Sequence, residues 1–475
     1  MRSGLKETIR RIHARSPGTG TGTGTAAAGQ TADPAEPASR ILRARRLVAR
    51  LRADSLTRNS FGVMATTAVN GAFGYVYWIA AARLLPTSTV GLGSTLVSAM
   101  VIISLGVYLG PGGQLIARLP TRTTRAQWLL SVYSTQLLCM FATLLAAAAA
   151  LVPLAVLLRP LRLLESDPAV AAWFVLGAVG WTSCGLLDDV FVGQRRADFM
   201  FWRNAFSSGL KLAALIAIAL LSKPGASTII GTWAVSGLAG AVFGLLLCHR
   251  AFYRLGRIPR PSGGLLPELR AEMSALARPS IGHHAISVAG LLPTYLLPIV
   301  VTARLGPQQN AYFYVTWMIA SAIFTISPAV SVAIFAEGSH DSSHLRTLAR
   351  SSLRIVLAML LPAVLIVGAA GQPILHLYGA AYAAAGFGLL LILLSSSFPD
   401  AVTNVATATL RVRNLLPRAA ALNIAMAVIA VVGAWELTPR FGIVGAGVAW
   451  LLAQSVGTLA VLAHPRTFWP AKDAG

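Results

Sequence analysis

Acidic residues and cysteines are scarce in this 475-residue chain: 16 Asp and Glu stand against 39 Lys and Arg, and there are three Cys. Cys139, Cys184 and Cys248 each fall inside an apolar run and none has a CxxC neighbour. They read as small buried apolar side chains, not as a disulfide or zinc framework. Charged residues make up only 12% of the chain, about half the share of a soluble domain, which argues against a string of soluble domains. No GxxxxGK[ST] phosphate loop, GxSxG elbow or HExxH helix occurs. The chain therefore carries no P-loop ATPase, and neither of those hydrolase centres, of its own. No metal set and no cofactor motif is expected. The first 30 residues contain no apolar core of the signal-peptide kind, so no cleaved leader is expected.

What the chain has is apolar length. Hydrophobic residues make up 55% and mean hydropathy is +0.67. Runs of about 20 apolar residues recur from Ser60 to Ala463, and each can cross a bilayer core of ~30 Å. The reading is an all-α polytopic membrane protein with about twelve spans: 60–83, 90–117, 127–153, 169–192, 204–221, 226–248, 279–302, 311–335, 354–371, 383–410, 419–437 and 441–463.

The net charge of +23 is distributed as topology, not as a nucleic-acid surface. With the N-terminus inside, only Arg83, Arg159, Arg162, Lys223, Arg304 and Arg440 fall at the outer ends, and Lys211 alone lies within a span. Every other Lys and Arg falls on the cytoplasmic side, which is the positive-inside pattern. Both termini are then cytoplasmic. Residues 1–58 form a basic, low-complexity N-terminus expected to be disordered. Within it, 40–58 reads either as an amphipathic helix on the anionic leaflet or as a basic flank that fixes orientation.

Residues 249–278, basic and rich in Pro and Gly, divide the chain into an N-lobe (59–248) and a C-lobe (279–463), followed by a tail (464–475). Six helices per half means both halves enter the membrane in the same direction, as parallel repeats. Ala82-Arg83-Leu84-Leu85-Pro86 closes the first helix of one half and Ala303-Arg304-Leu305-Gly306-Pro307 the first helix of the other.

Helix breakers occupy comparable places in both halves: Gly71 and Gly74 in helix 1, Pro293 and Pro298 in helix 7, Pro111 within Gly110–Gly113 in helix 2, and Pro328 in helix 8. Proline removes a donor and opens a helix. Matched interruptions point to a transport pathway and to gating elements, although Pro and Gly are common in membrane helices for other reasons.

Buried ionisable groups are the other candidates. Asp188 and Asp189 lie about 9–11 Å before Arg195, and Lys211 about 12 Å beyond Arg203, so their depths match. A Lys211–aspartate pair would be either a clamp or part of a cavity that meets a phosphate. Asp400 follows Pro399 at roughly 16 Å from Arg411. It is either a proton carrier or a hydrogen-bonded acid beside a proline break. His283 and His284 open helix 7. His340 and His344, with Glu337 and Asp341, read as a solvated connector.

Several segments resemble polysaccharide flippases of the multidrug/oligosaccharidyl-lipid/polysaccharide exporter superfamily. They are Ala82–Gly91, Asn310-Ala311-Tyr312-Phe313-Tyr314, Phe335-Ala336-Glu337-Gly338 and His376–Tyr382, and the resemblance runs over about residues 58–463. It implies a V-shaped pair of six-helix lobes around a central cavity, working by alternating access. The implied cargo is a polyprenyl-pyrophosphate-linked oligosaccharide, moved from inner to outer leaflet for cell-surface polysaccharide synthesis at a bacterial plasma membrane. Implied partners are membrane lipids and the glycosyltransferases or polymerase of the same pathway. Lys211, Arg83 and Arg304 are the basic residues in or at the mouths of the spans that would meet the pyrophosphate. Peptidoglycan-precursor flippases are also similar but carry two more helices. The outer loops are short, and membrane glycosyltransferases and polymerases carry a large catalytic one, so the chain does not read as an enzyme. A multidrug exporter of the same superfamily, and a non-transporting scaffold of a glycan-assembly complex, are the alternatives.

Overall fold

The structure, a computed structural model, describes residues 55–122, 125–253, 281–331 and 345–468. The stretch 1–54, most of the basic segment at 40–58, most of the linker 249–278, and His340 and His344 lie outside them. Among the described residues twelve long helices follow one another: α1 (Ser55–Leu84), α2 (Thr87–Arg118), α3 (Arg125–Leu157), α4 (Pro168–Gly193), α5 (Ala197–Leu221), α6 (Ser227–Tyr253), α7 (Ile281–Leu305), α8 (Pro307–Phe324), α9 (Leu345–His376), α10 (Ala380–Val412), α11 (Leu416–Phe441) and α12 (Ile443–Ala463). There is no strand among the described residues.

Among the described residues, eleven helices are long and apolar enough to cross a membrane. α1 has the length, at 30 residues, but is not one of them. Its sequence is diluted by Thr66, Thr67, Asn70, Gly71 and Gly74. α2 is the most enclosed span, whereas α3, α5 and α9 present most of their surface outward. Those outward faces carry exposed Leu137, Phe141, Leu220, Leu361, Leu365 and Ile366, the side chains a hydrocarbon phase accepts.

The helices pack as two copies of one plan. In the first half α1 lies on α5, α2 and α3 on α4, and α4 and α5 on α6. In the second half α7 lies on α11, α8 and α9 on α10, and α10 and α11 on α12. These are the two six-helix lobes. The repeat extends to single hydrogen bonds in the turns after α4 and α10. Arg196 N–H donates to Phe191 and Leu415 N–H to Leu410. Gln194 donates to Val190 and Arg413 to Thr409. Arg195 and Asn414 hold the same left-handed backbone, φ 56° and 55°. Asn tolerates that region readily; Arg adopts it here because the turn demands it.

Within the lobes, close packing comes from small residues. Gly180 of α4 sits against the backbone of Gly237 and Leu238 of α6. Buried hydroxyls such as Ser104, Thr135 and Thr409 donate to carbonyls one turn back, so these polar hydrogens do not face lipid.

The expected helix interruptions are only partly present. α2 runs unbroken through Pro111, and α7 through Pro293 and Pro298. α1 is continuous across Gly71 and Gly74, where an added Cβ would meet nothing within 4 Å. A proline removes one ladder bond, but neighbouring helices hold the rest of the helix in line. Pro328 differs. α8 stops at Phe324 with a turn at Thr325, and the helix resumes over 326–331. Phe324 is the residue whose carbonyl Pro328 cannot bond.

Candidate functional site

The fourth, fifth and sixth helices of the first lobe meet α1 around a cavity of about 360 Å³. The cavity brings together Asn70 and Trp78 from α1, Trp181 and Asp188 from α4, Arg203, Asn204 and Lys211 from α5, and Trp233 from α6. Met318 of α8, in the other lobe, closes one side. Tyr75 donates a hydrogen bond to the Met318 carbonyl at 3.2 Å, and Trp78 packs on Tyr314 at 4.7 Å between ring centroids. The site therefore lies in the N-lobe and faces the lobe interface.

A polar chain crosses it. Arg203, 3% exposed, donates from Nη2 to Asp188 Oδ2 at 2.7 Å. Asn204 Nδ2 donates to Asp188 Oδ1 at 2.9 Å, and its Oδ1 accepts from Asn70 Nδ2 at 2.7 Å. Ser208 donates to Asn70 Oδ1 at 3.0 Å. Burying a guanidinium and a carboxylate is tolerable only with this degree of pairing.

Lys211 stands apart from the chain. Its ammonium lies 4.0 Å from the centroid of Trp233 and 5.3 Å from that of Tyr77. The rings hold it by cation–π attraction. Trp233 is itself stacked on Trp181 at 5.3 Å, and the Tyr77 hydroxyl is hydrogen-bonded to Thr232. Among the described residues no carboxylate forms a salt bridge with Lys211. The expected Lys211–aspartate pair is thus corrected. Arg203 lies on the face of α5 that meets Asp188 and takes it, and the aromatic faces take Lys211. Two cations against Asp188 leave the cavity with an excess of positive charge.

Other candidates lie elsewhere. Asp189 packs against Gly112 of α2 and does not line the cavity. Asp400 is buried in α10 beside Ser327 and Asn404, in the opposite lobe; its Oδ2 has no hydrogen-bond partner among the described residues. Arg83 is exposed and donates to the carbonyls of Leu377 and His376, at 2.8 and 2.7 Å. Arg304, also exposed, lies 4.7 Å from the Trp435 ring. Neither arginine reaches the cavity, so the three basic residues grouped by the sequence do not form one site. The backbone of His283 and His284 is the first turn of α7.

Asn70, Arg203, Asn204 and Trp233 were not among the candidates read from the sequence. Asn70 and Asn204 carried a usable signal, since amides inside apolar helices usually face another polar group. The lobe repeat sharpens it. In the register fixed by the turns at Arg195 and Asn414, Asn204 stands where the second lobe has Asn423. Asn423 accepts from Thr407 of α10 at 3.4 Å and donates to the Ile286 carbonyl of α7 at 3.1 Å. Both asparagines tie the first helix of their lobe to the fourth. In the same register Asp188, Arg203 and Lys211 stand opposite Thr407, Leu422 and Ala430. The charged cavity is a specialisation of the N-lobe on a shared frame.

No family model matches the chain, and no curated protein matches it in sequence. Solved structures do. An inward-facing multidrug-resistance MATE transporter of the MOP superfamily matches with TM-score 0.63 at 14% identity, over 85% of this chain and 97% of that one. The lipid II flippase MurJ, in an inward closed conformation, matches with TM-score 0.60 at 11% identity, over 86% and 87%. A MOP-superfamily transporter from Pyrococcus furiosus, described as having a binding pocket of reversed polarity, matches with TM-score 0.53 at 15% identity, over 90% and 98%. The fold is that of the MOP-superfamily transporters: a multi-pass helical membrane protein of two lobes.

Proposed function

We propose that the chain is a membrane transporter that flips an anionic, lipid-linked glycan from the inner to the outer leaflet by alternating access. The observation that carries this reading is Lys211, a cation lining the N-lobe cavity and held by aromatic rings instead of a carboxylate. A diphosphate is the group that such a cation attracts. The neighbouring Trp181 ring, with the Asn70 amide, suits a hydroxyl-bearing ring. At about 360 Å³ the cavity is at the small end of ligand sites, so it takes the charged linkage and an adjoining sugar, not a whole repeat unit. The asymmetry of Lys and Arg supports placing both termini and the turns after α4 and α10 in the cytoplasm, with residues 249–278 joining the lobes there. MurJ, named as a lipid II flippase, supports a lipid-linked cargo; a pathway glycosyltransferase or polymerase would supply or consume it.

One observation favours multidrug export instead: Asp188 lines the same cavity and could meet a cationic drug. Its carboxylate is already occupied by Arg203 and Asn204. Deleting the gene should separate the two. Accumulation of lipid-linked glycan on the inner leaflet, with unchanged sensitivity to cationic dyes, is the expected result. Normal surface glycan with heightened dye sensitivity would establish drug export.

A further inference from the structure

The two lobes are fastened together at the end of the bundle that carries the α1–α2 and α7–α8 turns. Asn310, at the start of α8 and fully buried, directs its Nδ2 at Gly91 O, Ser94 Oγ and Thr95 Oγ1 of α2, at 2.9, 3.0 and 2.9 Å. Thr95 is hydrogen-bonded in turn to Thr302 of α7. The helices approach so closely here that a Cβ on Gly91 would collide with the Pro307 carbonyl. Beside this seat Arg83, at the end of α1, grips the His376 and Leu377 carbonyls, which end α9 and begin the turn to α10.

The fastening breaks the symmetry of the repeat. Arg304 is the counterpart of Arg83, yet it rests on Trp435 inside its own lobe. Thr89 is the counterpart of Asn310, and a threonine cannot supply a two-hydrogen amide. Each lobe thus contributes one device that the other lobe lacks at the same position. Packing alone would not need this. A carboxamide spending its hydrogens on three oxygens across an interface, next to a two-point guanidinium clamp, is a specific and breakable contact.

We propose that Arg83 and Asn310 form a latch that holds the lobes shut at this end, and that the transport cycle requires both to release. The inference rests on the transporter reading of the fold but not on the identity of the cargo. It can be tested on the purified full-length protein with Cys139, Cys184 and Cys248 replaced by Ala. Thr302→Cys is buried at the seat and should react slowly with a maleimide. Adding Arg83→Ala or Asn310→Ala should shift the population toward separation and speed the reaction about tenfold or more. Val405→Cys, buried within one lobe, should keep its rate. The proposal is overturned if Thr302→Cys reacts no faster in either variant. It is equally overturned if Val405→Cys accelerates as much in both, since that is loss of fold and not a parting of the lobes. A labelling assay needs no substrate, so a different cargo would leave this result standing.

Discussion

Lys211→Glu is expected to abolish glycan export while leaving the protein inserted and folded enough to accumulate. Insertion depends on the apolar length of the helices, which one substitution in α5 does not change. The cavity, however, changes sign. Lys211 is the cavity's cation without a carboxylate partner, and a glutamate there would face an incoming phosphate beside Asp188. Losing a desolvated charge pair costs roughly 2–5 kcal/mol, which corresponds to a fall in export of about thirty-fold to several thousand-fold. Lys211→Arg keeps the charge and should retain part of the activity, because a guanidinium also stacks on Trp233. The assay is lipid-linked glycan on the inner leaflet of cells carrying only the variant. Export within about twofold of normal for Lys211→Glu would remove the cavity from the pathway.

Arg203→Ala should be the most destabilising single change in the N-lobe. Arg203 is 3% exposed and its Asp188 partner 26%. Removing one side strands the other charge in the bundle, at a cost of about 3–5 kcal/mol. Asn204 would still donate to Asp188, but one amide does not replace a guanidinium. The loss should appear as a lower midpoint of thermal aggregation in detergent. Adding Asp188→Asn removes the stranded charge and should restore much of the loss, since the carboxamide introduced there can still accept from Asn204. If the two substitutions simply add, Arg203 and Asp188 are not coupled and the polar chain is an accident of packing.

The helix count and the halving of the chain were legible because the bilayer imposes them. Apolar length marks eleven of the twelve long helices among the described residues, and the repeated Ala-Arg-Leu before a proline marks equivalent turns. Partnering was less legible. Counting residues gives depth along a helix, and depth put Lys211 level with the aspartates. It says nothing of azimuth, and Arg203, placed by its sequence at the membrane edge, lies on the face of α5 that meets Asp188. Trp233 could not be tied to Lys211 for the same reason, since the pairing of α5 with α6 fixes it. The proline rule failed at Pro111, Pro293 and Pro298 because it weighs one lost bond against an isolated helix, whereas each of these helices is supported by neighbours. It succeeded at Pro328, where α8 breaks one turn earlier. Arg83 and Arg304 looked alike in sequence and do different work, since one crosses to the other lobe and one does not.

The central claim is that the N-lobe cavity receives an anionic lipid headgroup at Lys211. The most direct measurement is binding of a short polyprenyl diphosphate to the purified protein, by native mass spectrometry or calorimetry, beside the matching uncharged polyprenol. The diphosphate should bind and the polyprenol should bind far more weakly. Lys211→Gln should lower diphosphate affinity at least about tenfold with polyprenol binding unchanged. Equal binding of the two lipids, or a diphosphate affinity indifferent to Lys211→Gln, would contradict the claim.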